Sequence, residues 1–433
     1  MTPVNLCTAR EGTFRGWEAA FLENGIIRLA AVPDIGGRLM ALDLGPYSYL
    51  FVDPDLAGKL FSAQENQGDG TLAAWKNYGG DKTWPAPQGW ENDQQWHGPP
   101  DPVLDTGRYA LEALSGDGKK ALVRMVSPAD RKTGVQISRQ FTIRPGSSRV
   151  QLELSFRNNS DEPVRWSIWD VVQLRAEVQR ADGTTAYDPQ SCVTIPLNPD
   201  SRFPRGYNVM FGAQENPQWQ VDEERQLFIG RYMWEIGKVG LDSTAGWIAF
   251  TQGAQGYAFA ERFAFEEGAA YPDEGVTVEC WTVGAGQVAN LDYGASEIYL
   301  METEVLSPLH TINPGESATF AIEWGVCRCL GLVVDVTAGG CVAEPLTVRI
   351  ENGYAHLTGS FGVFDCGELS LAWVDRQGEV ARIDSIGAAN PLSAVLLDRV
   401  DPLPPEARSV ALQVTTTADG QNVNLATAAL EPL

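Results

Sequence analysis

The sequence predicts an all-β protein, and three observations predict it. Apolar residues recur with a period of two, turn residues punctuate the runs, and no long stretch carries a helical period. Between Arg149 and Arg157 the apolar residues Val150, Leu152, Leu154 and Phe156 alternate with polar ones. That is a strand with one buried face, because successive side chains point to opposite sides of the pleat. Similar runs occupy 135–143, 165–174, 257–265, 276–283, 297–306 and 318–326. Pro145-Gly146, Asn158-Asn159-Ser160-Asp161, Asp182-Gly183 and Pro314-Gly315 separate strands with residues that favour turns. One short helix is expected over 56–64. Many short strands at close spacing imply a sandwich or a barrel.

A chain of 433 residues is long enough for two units, and a boundary is expected near 328–335. Beyond it, short strands are expected at 346–350, 354–358, 368–374, 407–416 and 421–428. Asn352-Gly353 is a strong hairpin signal between the first two, since both residues tolerate positive φ. The pattern of 331–433 is that of a small immunoglobulin-like β-sandwich. It holds no cluster of reactive groups, so a structural or docking role is expected.

Composition excludes several functions. A formal charge of −24 repels phosphate backbones and anionic lipid, so nucleic acid and membranes are not expected partners. No stretch approaches the ~18 apolar residues of a membrane span. The N-terminus shows no basic region followed by an apolar run, so no secretory signal is read. Seven scattered cysteines suggest core thiols rather than a disulfide framework, which fits the cytoplasm. Neither a cofactor nor a metal is expected. The chain has no phosphate-binding glycine loop, no serine elbow and no EF-hand spacing, and no second pair completes Cys327-Arg328-Cys329 as a zinc site.

From Trp75 to Asp105 the style changes. The stretch has no period, is dense in Gly and Pro, and reads as a long ordered loop, a kind of segment that usually carries function. Four of the thirteen tryptophans fall within 22 residues here, among Lys76, Asn77, Tyr78, Asp81, Lys82 and His97. Indoles cover the C–H faces of sugar rings, while carboxylates, amides and lysines bond their hydroxyls. Trp84 and Trp96 therefore either line a carbohydrate site or anchor the loop on the sheet. The expected ligand is a mono- or oligosaccharide.

Gly36-Gly37-Arg38-Leu39, Gly79-Gly80…Trp84-Pro85 and Met301-Glu302-Thr303-Glu304…Pro308 resemble motifs of galactose-mutarotase-like proteins. Trp75-Lys76-Asn77-Tyr78-Gly79-Gly80-Asp81-Lys82-Thr83-Trp84-Pro85 and Tyr271-Pro272-Asp273 resemble the uncharacterised DUF4380 family more closely. The resemblance covers roughly 10–328 and implies a β-supersandwich over 1–330 followed by the small sandwich at 331–433. It also implies aldose 1-epimerase-like chemistry, in which a base takes the anomeric hydroxyl proton and a histidine protonates the ring oxygen.

By that resemblance Glu302 matches the base, and Glu304 stands beside it on the same strand face. Trp169 occupies the place of the acidic histidine, and an indole cannot deliver a proton near neutral pH. A non-catalytic sugar-binding or sensing role is therefore the alternative. His97 is a candidate acid from the loop; Asp81, Lys82 and Asp170 are others, although Asp170 should point away from Trp169. Arg38, Lys238 and Glu279, the last alternating with Trp281, are expected to contribute substrate contacts. Asp273 is read as turn chemistry.

Overall fold

The computed structural model describes residues 6–92, 94–292 and 297–430. Strands take 55% of the described residues and helices 3%. Two large antiparallel sheets hold most of the strands up to Arg328, and two short hairpins stand apart from them. The first, of twelve strands, runs in the order Thr8–Phe14, Trp17–Glu23, Ile27–Val32, Arg38–Leu44, Asp81–Ala86, Val164–Arg175, Leu300–Leu306, Val278–Thr282, Gly237–Leu241 and Asn208–Gly212. His310–Ile312 and Tyr47–Ser48 extend it alongside Val164–Arg175 and Arg38–Leu44. The second sheet has ten strands, with Tyr257–Phe263, Ser317–Arg328, Arg149–Asn158 and Val135–Ile143 at its centre. Their inward faces share one apolar core that includes Val150, Leu152, Phe156, Val172, Phe259 and Trp324. Burying so much apolar surface between two sheets is the main force that holds the supersandwich together.

Sequence alternation and structure coincide closely here. The run at 149–157 is the strand Arg149–Asn158, and its residues alternate between buried and more exposed along their length. Val135–Ile143, Val164–Arg175, Tyr257–Phe263, Val278–Thr282, Leu300–Leu306 and Ser317–Arg328 occupy the other predicted runs. Two expectations are corrected. Residues 54–58 form turns, and the helix is Ala63–Gln67, later than the expected span. Ser62 and Glu65 start it with a reciprocal capping box, so the cap outweighs the composition of the preceding residues. The stretch from Trp75 to Asp105 is not all loop, because Asp81–Ala86 is a fully buried strand in the middle of the large sheet. Pro85 concealed it, since proline cannot donate a ladder hydrogen bond and argues against an interior strand.

From Asp335 onward the chain forms two four-stranded sheets around a second core that includes Leu357, Phe361, Leu371, Trp373, Val410 and Leu412. Asn352 and Gly353 make the tight hairpin between Gly340–Glu351 and Tyr354–Val363, with φ of 53° and 82°. A third apolar cluster joins the two sheet systems: Trp247, Ala260 and Cys327 pack with Val336, Cys341 and Phe364. All seven cysteines are free, and six are buried. No helix among the described residues is long and apolar enough to cross a membrane.

Candidate functional site

The central strands of the large sheet place alternate residues on one outward face. Trp84 pairs with Trp169, Val171 with Lys82 and Glu304, and Gln173 with Glu302. On the other side Glu304 pairs with Glu279, Glu302 with Trp281, and Trp281 with Lys238. Period-two alternation thus puts Lys82, Trp84, Trp169, Gln173, Glu302, Glu304, Glu279 and Trp281 on a common face. Over this face lies a cavity of about 1300 Å³.

Seven of the thirteen tryptophans line the cavity: Trp75, Trp84, Trp90, Trp96, Trp166, Trp169 and Trp281. Trp84 is the centre of one wall, 4.9 Å from Trp96, 5.4 Å from Trp169 and 6.1 Å from Trp75 between ring centroids. Carboxylates of the connecting loop hold two of these indoles. Trp75 Nε1 donates to Asp105 at 2.7 Å, and Trp96 Nε1 donates to Asp101 at 3.1 Å. Asp105 is itself ion-paired to the fully buried Arg38. Asp101 also accepts from the backbone N–H groups of Val103 and Leu104, which fixes the loop's turn. Trp281 stacks on Phe211 at 5.6 Å on the opposite side.

The floor between these aromatic walls is charged. Lys82 pairs with Glu302 at 3.1 Å, and Gln173 Nε2 donates to the same Glu302 oxygen at 2.6 Å. Lys238 pairs with Glu279 at 2.6 Å and with Glu304 at 3.0 Å. Trp169 Nε1 donates to Glu304 at 2.9 Å, and the Lys238 ammonium lies 4.3 Å from the Trp169 ring. Burial pushes the Glu304 carboxyl up to about 7; Lys238 opposes the rise and Glu279 adds to it. Burial also raises Glu302 against the pull of Lys82, and lowers Lys82 against the pull of Glu302. Burial would lower Lys238, but Glu279 and Glu304 together hold it above its usual value.

Three buried polar atoms of lining residues have no hydrogen-bond partner among the described residues, Trp84 Nε1, Gln173 Oε1 and Glu279 Oε2, the last of which is ion-paired with Lys238. Buried polar groups in proteins are nearly always bonded, so unbonded atoms in this face are unusual. Asp273 also lines the cavity, with φ of 49° in its turn, and burial raises its carboxyl.

The structure sorts the residues singled out from the sequence. Asn77, Trp84, Trp96, His97, Trp169, Lys238, Glu279 and Glu302 line the cavity, His97 at its exposed edge. Lys82 and Glu304 lie in the same face, beneath the lining layer, and reach it through Glu302 and Lys238. Four expected substrate contacts, Arg38, Tyr78, Lys76 and Asp81, sit elsewhere. Arg38 is sealed behind Asp105 and Gly79. Tyr78 packs edge-on against Trp17 in a separate apolar cluster. Lys76 lies over Phe61, 5.3 Å from its ring, and bonds Ala74.

Asp81 points between the sheets, where it pairs with Arg139 and accepts from the Leu39 N–H. Asp170 shares that space, 3.8 Å from Arg139, as its alternation with Trp169 requires. Burial and the neighbouring Asp81 raise it to about 8, but it does not line the cavity. Trp166, Phe211 and Gln173 were missed. The odd-residue periodicity that marks Trp169 marks Gln173 as well, whereas Phe211 comes from a distant edge strand and left no local signal.

The family model described as a domain of unknown function, DUF4380, matches residues 18–327, which is most of the chain. The protein belongs to the DUF4380 family. The matched residues span both large sheets and every strand of the cavity floor. Among solved structures, the DUF4380 chain is similar to a putative mutarotase from Salmonella typhimurium, at 9% identity over 76% of this chain and 95% of that one, with a TM-score of 0.48. It is also similar to a putative aldose 1-epimerase from Klebsiella pneumoniae, at 11% identity over 73% and 81%, with a TM-score of 0.47. A galactose mutarotase-like protein from Clostridium acetobutylicum is similar at 12% identity over 75% and 99%, with a TM-score of 0.45. Likeness at that level does not carry an activity from one chain to another. The curated proteins include no match.

Proposed function

We propose that this DUF4380 protein binds carbohydrate in the tryptophan-lined cavity. The observation that carries the reading is the combination of seven indoles with a floor of carboxylates, lysine and glutamine. Aromatic faces cover sugar C–H surfaces, and the carboxylates, lysine and amide of the lining complement hydroxyl groups, each of which both donates and accepts. Trp169 favours binding over turnover, because it stands in the place the resemblance gives to an acidic histidine and is already engaged by Glu304 and Lys238.

Titration calorimetry against a panel of neutral sugars, uronates and sugar phosphates tests the reading. Wild type is expected to bind at least one of them. Trp84→Ala is expected to weaken binding about tenfold or more through the loss of an aromatic platform. A panel without heat, on a protein shown to be folded, would sink the proposal.

A second reading has its own observation, the Glu304 carboxyl placed near neutrality beside Glu279 and Lys238. In it Glu302 takes the proton of an anomeric hydroxyl, and the Glu279–Glu304 pair returns one to the ring oxygen, so that the ring opens and recloses without net proton change. Anomer exchange followed by NMR tests it. Wild type is expected to exceed the buffer rate, and Glu302→Gln to fall at least about a hundredfold towards it. No acceleration by wild type leaves binding alone.

A further inference from the structure

The shape and charge of the cavity say what kind of carbohydrate it would take. Its aromatic surface is divided. Trp84, Trp96 and Trp169 form one platform, and Trp281 on Phe211 forms the other. Trp169 and Trp281 lie on strands separated by one intervening strand, Leu300–Leu306, so they stand about 10 Å apart across the sheet. Their ladder partners on that strand, Leu306 and Glu302, are four residues apart, which adds about 13 Å along it. A single pyranose ring cannot lie on both platforms. The volume of about 1300 Å³ also exceeds the upper range of about 1000 Å³ for pockets that enclose one small ligand.

The charged strip lies between the platforms and is already balanced against anions. Lys238 is answered by Glu279 and Glu304, and Lys82 by Glu302. Asp273 adds a further carboxylate to the lining. Lys132, the other lining lysine, is exposed at the edge. A uronate or a sugar phosphate would meet carboxylates without a free buried cation, and like charges in a desolvated site repel strongly.

We infer that the cavity takes an uncharged oligosaccharide of at least two sugar units, one ring on the Trp84–Trp96–Trp169 platform and another on Trp281, with the linkage between them over Glu279 and Glu302. The inference rests on the carbohydrate reading and narrows it.

The test is calorimetry with neutral di-, tri- and tetrasaccharides of glucose, galactose, mannose, xylose and N-acetylglucosamine. The matching monosaccharides, the corresponding oligouronates and the sugar phosphates are measured beside them. At least one neutral oligosaccharide is expected to bind tenfold or more tightly than its monomer, with oligouronates and phosphates weaker still. Phe211→Ala, which removes the support of Trp281, is expected to bring the oligomer affinity down towards that of the monomer. Monomers that bind as tightly as oligomers, or anionic sugars that bind best, would overturn the inference and leave the carbohydrate reading standing. Silence towards every sugar would overturn both. A Phe211→Leu variant, which keeps the bulk but loses the stack, guards against reading a folding defect as a lost subsite.

Discussion

At the scale of single residues, Glu304 ties the chemistry of the floor to stability. A carboxyl raised in the folded state makes folding take up a proton. Its contribution to stability is therefore present below the usual carboxyl value of 4.5 and is lost as the pH rises through about 7. Glu304→Gln removes that titration and keeps a donor and acceptor of the same size. The melting temperature of the variant relative to wild type is expected to rise between about pH 5 and about pH 8, and thermal scans across that range check it. A constant difference would mean that Glu304 titrates as it does in the unfolded chain. Trp84 is the other decisive residue: its ring meets three other indoles, while its Nε1 remains unbonded within the protein.

At the scale of elements, the loop following Asp81–Ala86 is held by buried polar groups rather than by regular ladders. Arg38, on the neighbouring strand, pairs with Asp105 and bonds the Gly79 carbonyl, and Asp105 in turn holds the Trp75 indole. Arg38→Met leaves the Asp105 carboxylate buried without its cation. It is expected to cost roughly 3–5 kcal/mol in urea denaturation and to weaken sugar binding through Trp75. A loss below about 1 kcal/mol would show that the pair is not needed to hold the loop. The Asn352-Gly353 hairpin is a smaller case. Gly353 sits at φ of 82°, a region where a side chain is strained, so Gly353→Val is expected to cost about 1–2 kcal/mol.

At the scale of the whole molecule, the two sheet systems are joined by packing and by charge. Phe364 is fully buried in the shared cluster, and Arg149 lies over its ring at 5.1 Å. Arg149 also bonds Glu323 of the ten-stranded sheet at 2.6 Å and Asp365 of the small sandwich at 2.9 Å. Phe364→Ala is expected to cost about 3–5 kcal/mol and to lower calorimetric unfolding of both sheet systems together. An unshifted transition of the cavity-bearing sheets would mean that the join carries no stability across it. The surface, at a formal −24 for the chain, adds to the exclusion of anionic ligands over long range.

The sequence by itself determined the all-β class, most of the strands, the hairpin at Asn352-Gly353 and the tryptophan cluster between Trp75 and Asp105, whose four indoles line the cavity. These follow from local pattern: alternation shows which residues share a face, and turn residues show where a run must stop. Alternation also required Asp170 to oppose Trp169, as it does. Which face looks into the cavity and which into the core was decided by the tertiary structure alone. Asp81 and Lys82 are neighbours in the chain, yet one pairs with Arg139 between the sheets and the other with Glu302 beneath the cavity.

Tyr78 belongs by sequence to the same run as Trp84, and Arg38 to a separate motif of the same resemblance, but the fold turns both away from the cavity. Strand order is set by pairings between residues far apart in the chain, and no local period encodes it. That order brings Lys238, Glu279 and Glu304 together from three separate strands. The tryptophans of the segment from Trp75 to Asp105 announced a site; the long-range ladders supplied its charged floor and the second aromatic platform.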